Sequence, residues 1–181
     1  MNFIKKSAVI LSTIILSGVF INAVSNEDLI SNKGNTDREF FPKNLDFAGE
    51  KVPLNIADVH ERLDKELLIN EYLHGSTNLI IRRANRSFPI IEPILKKNGV
   101  PDDFKYLAVI ESALINAVSP AGARGVWQFM PATAKENGME VNDFVDERYH
   151  LEKSTEAACK YLLDAKSKLG TWTLAAASYN G

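Results

Sequence analysis

Between positions 101 and 115 the apolar residues Phe104, Leu107, Ala108, Leu114 and Ile115 recur at the i, i+3, i+4 spacing of one helix face, and a single carboxylate, Glu111, stands at the centre of that face. A segment patterned in this way has to be a helix packed against other apolar elements. Nowhere does the chain offer an alternating apolar and polar run, or a hairpin turn between two such runs, from which a sheet would be built. The expected fold class is therefore all-α, mainly helical, a compact bundle. Glu111 is the anomaly in it. Burial disfavours the charged form of a carboxyl group, and one that stays protonated near neutral pH can give its proton to a leaving oxygen.

The remaining elements are set by period and punctuation. Ile56, Val59, Leu63, Leu67 and Leu68 keep the helical period, with His60, Glu61, Arg62, Asp64 and Lys65 among the outward positions. A second helical segment is expected around 79–84, ahead of Phe88-Pro89, and a third over 90–97, stopped at Gly99 after two lysines. Pro101-Asp102-Asp103 starts the Glu111 helix, with an aspartate near its positive end. Positions 116–126, with Pro120, Gly122 and Gly125, read as a loop whose glycines let the backbone approach a polymer closely. Pro131 suits the first turn of a short helix ending at Gly138. Ser154 or Thr155 is expected to cap a longer helix that stops at Gly170, and a last one begins at Trp172 with Ala175, Ala176 and Tyr179 on one side.

The first 25 residues differ from the rest. Lys5 and Lys6 precede a nearly uncharged stretch rich in Ile, Leu and Val, followed by Ala23-Val24-Ser25 and then polar Asn26-Glu27-Asp28, the pattern of an export signal cleaved after Ser25. An uncleaved anchor is the alternative reading. Residues 26–53 read as a linker or loosely docked arm, and 54–98 as an N-terminal helical segment packing on the C-terminal half of the chain. The body of the protein is thus expected outside the cytoplasmic membrane, in the periplasm or cell envelope. Cys159 is the only cysteine and lies far from the signal, which excludes a lipoprotein anchor there, and its Ala157-Ala158 neighbours mark it as a small core residue. With 21 basic against 23 acidic residues there is no global basic field, so no nucleic-acid partner is expected; Arg82, Arg83, Arg86, Lys96 and Lys97 read as a solvated helix face. His60, His74 and His150 are widely spaced and lack Cys or carboxylate partners at ligand spacing, and no glycine loop cradles a phosphate, so neither a metal nor another cofactor is expected.

The order of motifs carries a resemblance. Pro101-Asp102-Asp103-Phe104-Lys105-Tyr106-Leu107-Ala108-Val109-Ile110-Glu111-Ser112, then Ser119-Pro120-Ala121-Gly122-Ala123, Gly125-Val126-Trp127-Gln128-Phe129-Met130-Pro131, Asp146-Glu147-Arg148 and finally Ala177-Ser178-Tyr179-Asn180 resemble the lytic transglycosylase domain of the lysozyme-like superfamily. The resemblance runs from about Leu54 to the last residue and implies a lysozyme-like helical bundle with a substrate cleft, with the catalytic domain over 99–181. It implies cleavage of the β-1,4 bond between N-acetylmuramic acid and N-acetylglucosamine in peptidoglycan glycan strands, ending in a 1,6-anhydro sugar without addition of water. Glu111 matches the single catalytic acid and base. Gln128 matches a glutamine lining the cleft, Ser119 a loop serine near substrate, and Tyr179 and Asn180 a tyrosine near the acid and its supporting asparagine. Bland readings stand beside these: Gln128 facing solvent, Tyr179 a core aromatic with its hydroxyl on a backbone group, Asn180 at a helix end. Trp127, Phe129 and Met130 read as core, and Arg148 with Asp146 or Glu147 as a structural ion pair.

Two features depart from the family pattern. The loop between Glu111 and Ser119 is one residue shorter than in many relatives and lacks a proline, and the sequence stops at Gly181 where the family continues, so the catalytic domain reads as truncated. A hydrolase of lysozyme type would need a second carboxylate, such as Asp143 or Asp146, folded opposite Glu111. The third reading is an inactive protein that binds the wall.

Overall fold

The computed structural model describes residues 41–179 apart from residue 73; the expected export signal, most of the expected linker and Asn180 lie outside the described residues. The fold is mainly helical. Strands β1 (Asp46–Phe47) and β2 (Glu50–Lys51) precede helices α1 (Ala57–Tyr72), α2 (His74–Asn98), α3 (Lys105–Ser112), α4 (Pro131–Glu136), α5 (Leu151–Leu169) and α6 (Trp172–Ser178), with short 3-10 turns at Asp102–Phe104 and Glu147–Tyr149. No helix among the described residues is long and apolar enough to cross a membrane.

Helix α3 is the hub. Tyr106, Leu107, Ala108, Val109 and Ser112 are all buried, and a helix apolar on nearly every side has to be enclosed by others. Around it, α2 contributes Ala84, Phe88, Ile91 and Leu95 at helical spacing, and α5 contributes Ala158, Cys159 and Leu162. The small side chains of α5, with Ala175, Ala176 and Ala177 of α6, let these two helices lie close together. Gly170, at φ 84, ends α5 and turns the chain back into α6.

Three expectations about these elements are corrected. The segments drawn at 79–84 and 90–97 are one helix, α2, running through Pro89 and Pro93. Proline removes the bond to the carbonyl four residues earlier. Here the four-residue spacing places both prolines on one exposed side, and Asn85 and Pro89, whose carbonyls lose their helix partners, are exposed too. The expected caps Ser154 and Thr155 lie inside α5; its cap is His150, whose ring nitrogen accepts the Lys153 N–H. Helix α3 ends at Ser112, so Ile115, expected on the apolar stripe, is 44% exposed.

The end of the expected arm is also ordered. Ala48 and Gly49, at φ 55 and 75, form a two-residue hairpin turn in which both positions are left-handed, and Phe47 and Val52 are buried in the core. Phe47 packs edge-on to Phe104, which packs edge-on to Trp172, with ring centroids 5.2 and 5.3 Å apart. Buried aromatic area, which a loosely docked arm lacks, holds this segment in place.

Candidate active site

Glu111 occupies the last turn of α3 and is half-buried. Immediately beyond it the backbone reverses sharply. Ala113 and Leu114 take φ values of 50 and 60, two left-handed residues in succession and neither of them glycine. Each such residue costs about 1–2 kcal/mol, and the surroundings hold them there. Leu114 is buried, the Ala113 N–H bonds the Val109 carbonyl, and Arg83 of α2 donates to the Ala113 carbonyl at 3.2 Å. Four non-glycine residues with positive φ occur among the described residues; Ala113, Leu114 and Gln128 are three of them, in the chain stretch expected to form the site.

Tyr179 follows the last turn of α6, and its ring lies among Trp127, Phe129 and Tyr161, with centroids 6.5, 5.9 and 5.2 Å away. Its hydroxyl donates to the Trp127 carbonyl at 2.9 Å. Burial holds this phenol well above its ordinary pKa, and the charge of Glu111 and the Tyr161 phenol push the same way. Tyr179 is therefore neutral and close enough to Glu111 to feel its charge. The hydroxyl's one proton is committed to the Trp127 carbonyl, so it offers a further group an acceptor lone pair.

The loop between α3 and α4 carries the other candidates. Ser119 closes its first turn, accepting the Ala123 N–H at 3.0 Å on its hydroxyl. Gln128, at φ 49, directs both amide N–H donors into the loop, to the carbonyls of Ala117 at 3.1 Å and Gly125 at 2.8 Å. What Gln128 can offer a sugar is thus its amide oxygen. Trp127 is fully buried, with its indole N–H on the Thr155 hydroxyl at 2.8 Å, and Phe129 is core as expected. Met130 is instead 42% exposed, because it sits at the extended cap position ahead of Pro131.

Two polar groups fix this loop to the bundle. Ser112, next to Glu111, donates to the Val126 carbonyl at 2.8 Å and joins the end of α3 to the loop. Arg148 is buried and grips Asp146 with two parallel bonds of 2.8 Å, while a third nitrogen donates to the carbonyls of Gly122 at 3.0 Å and Phe129 at 3.1 Å. Asp146 is further held by Arg124 at 3.2 Å, and Arg148 above all holds its carboxyl below the usual carboxylate range. The expected structural ion pair is present. The carbonyls it also binds were not legible in the sequence, because a motif does not show which backbone groups an arginine reaches. Gly125 has a different role from the close approach to polymer read from its type. A Cβ there would lie 1.8 Å from the Arg148 carbonyl oxygen, so only glycine allows the loop to cross the chain at 148.

Of the sequence candidates, Tyr179 lies within electrostatic reach of Glu111; Gln128 stands beside Trp127, whose carbonyl anchors Tyr179; and Ser119 organises the same loop from its outer turn. Among the described residues no group of His, Cys, Asp and Glu has the arrangement of a metal site.

The chain is similar to the protein named membrane-bound lytic murein transglycosylase D in Escherichia coli strain K12 and in Escherichia coli O6:H1, at 31% identity over 140 residues in each case. The matched part is 74% of this chain and 30% of each relative, so the chain spans well under half the length of the curated relatives it matches. The family model described as the transglycosylase SLT domain matches residues 88–181, more than half of the chain. It begins inside α2, ahead of the boundary at 99 drawn from the sequence, as suits a helix that continues without a break to Asn98 and packs on α3. On this match the chain belongs to the transglycosylase SLT domain family.

Proposed function

We propose that this chain is a peptidoglycan lytic transglycosylase that cleaves the β-1,4 bond between N-acetylmuramic acid and N-acetylglucosamine, with Glu111 as its one acid and base. In the first step the Glu111 carboxyl gives its proton to the glycosidic oxygen while the bond from that oxygen to C1 of the muramic sugar breaks, its electron pair leaving with the oxygen. In the second, the C6 hydroxyl of the same sugar attacks C1 and the Glu111 carboxylate takes its proton. The sugar closes as the 1,6-anhydro form, Glu111 is again protonated, and no water is consumed.

The observation that carries this reading is that Tyr179, neutral and bonded through its hydroxyl to the Trp127 carbonyl, lies within electrostatic reach of Glu111 inside the segment matched by the family model. The acceptor lone pair of Tyr179 suits a partner for the C6 hydroxyl or for the protonated acid. Gln128, through its amide oxygen, and Ser119 and Asn180 are assigned to the sugar hydroxyls and N-acetyl groups. Hydrolysis by a carboxylate pair gains no support from Asp146, whose oxygens are held by Arg148 and Arg124. The relatives' name and the apolar N-terminal stretch support a place in the cell envelope.

Digestion of murein sacculi with purified protein, followed by mass analysis of the products, tests the reading. Anhydro-muropeptides are expected, and Glu111→Gln should release them at a rate lower by about two to four orders of magnitude while unfolding at the same temperature. Reducing-end sugars, or sacculi left intact with protein bound, would overturn it.

A further inference from the structure

The hairpin β1–β2 lies outside the segment matched by the family model, yet it touches the start of both elements that carry the acid and its tyrosine. On one side the Ala48 N–H donates at 2.8 Å to the carboxylate of Asp103, in the 3-10 turn that leads into α3. On the other the Glu50 carboxylate accepts the N–H groups of Trp172 at 2.6 Å and Thr173 at 2.9 Å, the first two residues of α6. Burial pushes the Glu50 carboxyl up, but these contacts to Thr173 and Trp172, with Lys166 at 3.6 Å, together outweigh it and hold the carboxyl below its usual range. Between the two contacts runs the aromatic file Phe47, Phe104, Trp172.

Helices α3 and α6 are only 8 and 7 residues long. Glu111 sits in the last turn of the first and Tyr179 just past the end of the second, so each is fixed by how its short helix is seated at the other end. The α6 amides that Glu50 accepts are orphan donors, with no partner inside the helix. A negative charge at that end also complements the helix dipole.

We infer that Glu50 is a positioning residue for the reaction: through α6 it sets where Tyr179 stands against Glu111, and the hairpin makes residues ahead of the family domain part of the active site's support. This rests on the function proposed above. The graded variants are Glu50→Gln, which keeps one acceptor oxygen and loses the charge, and Glu50→Ala, which loses both. For Glu50→Ala the expected result is a kcat for release of anhydro product lower by roughly tenfold with KM within about twofold, because misplacement of a reacting group is felt in the chemical step. Glu50→Gln should fall between this variant and the unchanged protein. The folded fraction at assay temperature, followed by circular dichroism, should stay the same for all three.

A second measurement stands apart from activity. In protein carrying labelled tyrosine, the Tyr179 ring-carbon resonance bearing the hydroxyl should move in Glu50→Ala, while a tyrosine remote from α6, Tyr149, stays put. An unmoved Tyr179 resonance, or an unchanged kcat in an active protein, overturns the inference, as does a loss of activity that only tracks loss of folded protein. If the unchanged protein makes no anhydro product, the proposed function fails, and the Tyr179 resonance still decides the placement by Glu50.

Discussion

Replacing Arg148 by methionine removes the side chain that grips Asp146 with two parallel bonds and also binds two carbonyls of the candidate site's loop. The arginine side chain is 4% exposed and that of Asp146 16%. Breaking an enclosed ion pair by deleting one partner costs about 3–5 kcal/mol, because the remaining charge is left in a poor environment. The structure argues for the lower end. Asp146 keeps the Arg124 contact, and the Phe129 carbonyl keeps the backbone N–H of Arg124 at 3.1 Å, so the Gly122 carbonyl is the group most exposed to the loss. About 3 kcal/mol, at about 2–4 °C per kcal/mol for a chain of this length, lowers Tm by roughly 6–12 °C. Arg148→Lys keeps the charge but cannot make the two parallel bonds, and should lose about half as much.

Thermal unfolding followed by circular dichroism measures this, and pairing Arg148→Met with Asp146→Asn should recover part of the loss. Acid should act on the same pair. The folded pKa of Asp146 lies below the unfolded value, so its stabilisation is fully present above the ordinary carboxyl range and is lost as pH falls through the folded value. Tm should therefore decline below about pH 4, and the decline should be shallower in Arg148→Met. A Tm change under about 2 °C in Arg148→Met, with an unchanged acid slope, would refute the reasoning.

Two further outcomes test packing around the site. Gly125→Ala should lose roughly 2–5 kcal/mol, from the left-handed φ of 83 and the overlap with the Arg148 carbonyl, whereas Gly122→Ala, at φ 91 with open space around its Cβ, should lose only about 1–2 kcal/mol; urea unfolding compares them. Burial pushes the Cys159 thiol up to about 12, so a thiol-specific reagent should fail to label folded protein and label it fully after unfolding.

Sequence period and stop signals located most of the helices because their cause is local. The apolar residues of α1, the glycines at 138 and 170 and the stripe leading to Glu111 each specify an element within a few residues. What stayed illegible depends on distant partners. Pro89 read as a break between two segments because its tolerance rests on which side of α2 faces water. The hairpin at Ala48-Gly49 carries no Asn-Gly or Asp-Gly signal and forms because Phe47 finds Phe104. At the candidate site, Glu111 and Tyr179 were singled out by residue type and motif order. Gln128 was singled out as a candidate by its type, but the inward turn of its donors was not legible, because it depends on the loop carbonyls of Ala117 and Gly125 falling within their reach. Glu50 was invisible because a capping carboxylate 122 residues upstream of the helix it caps leaves no local pattern.

The central claim is that one carboxylate, Glu111, moves the proton both ways and that the sugar's own hydroxyl replaces water. Digesting sacculi in water enriched in heavy oxygen and weighing the newly formed muramic ends tests both at once. Anhydro ends that carry no label are expected, formed by the unchanged protein and nearly absent with Glu111→Gln. Reducing ends that carry the label, or unlabelled anhydro ends formed at the same rate by Glu111→Gln, would contradict it.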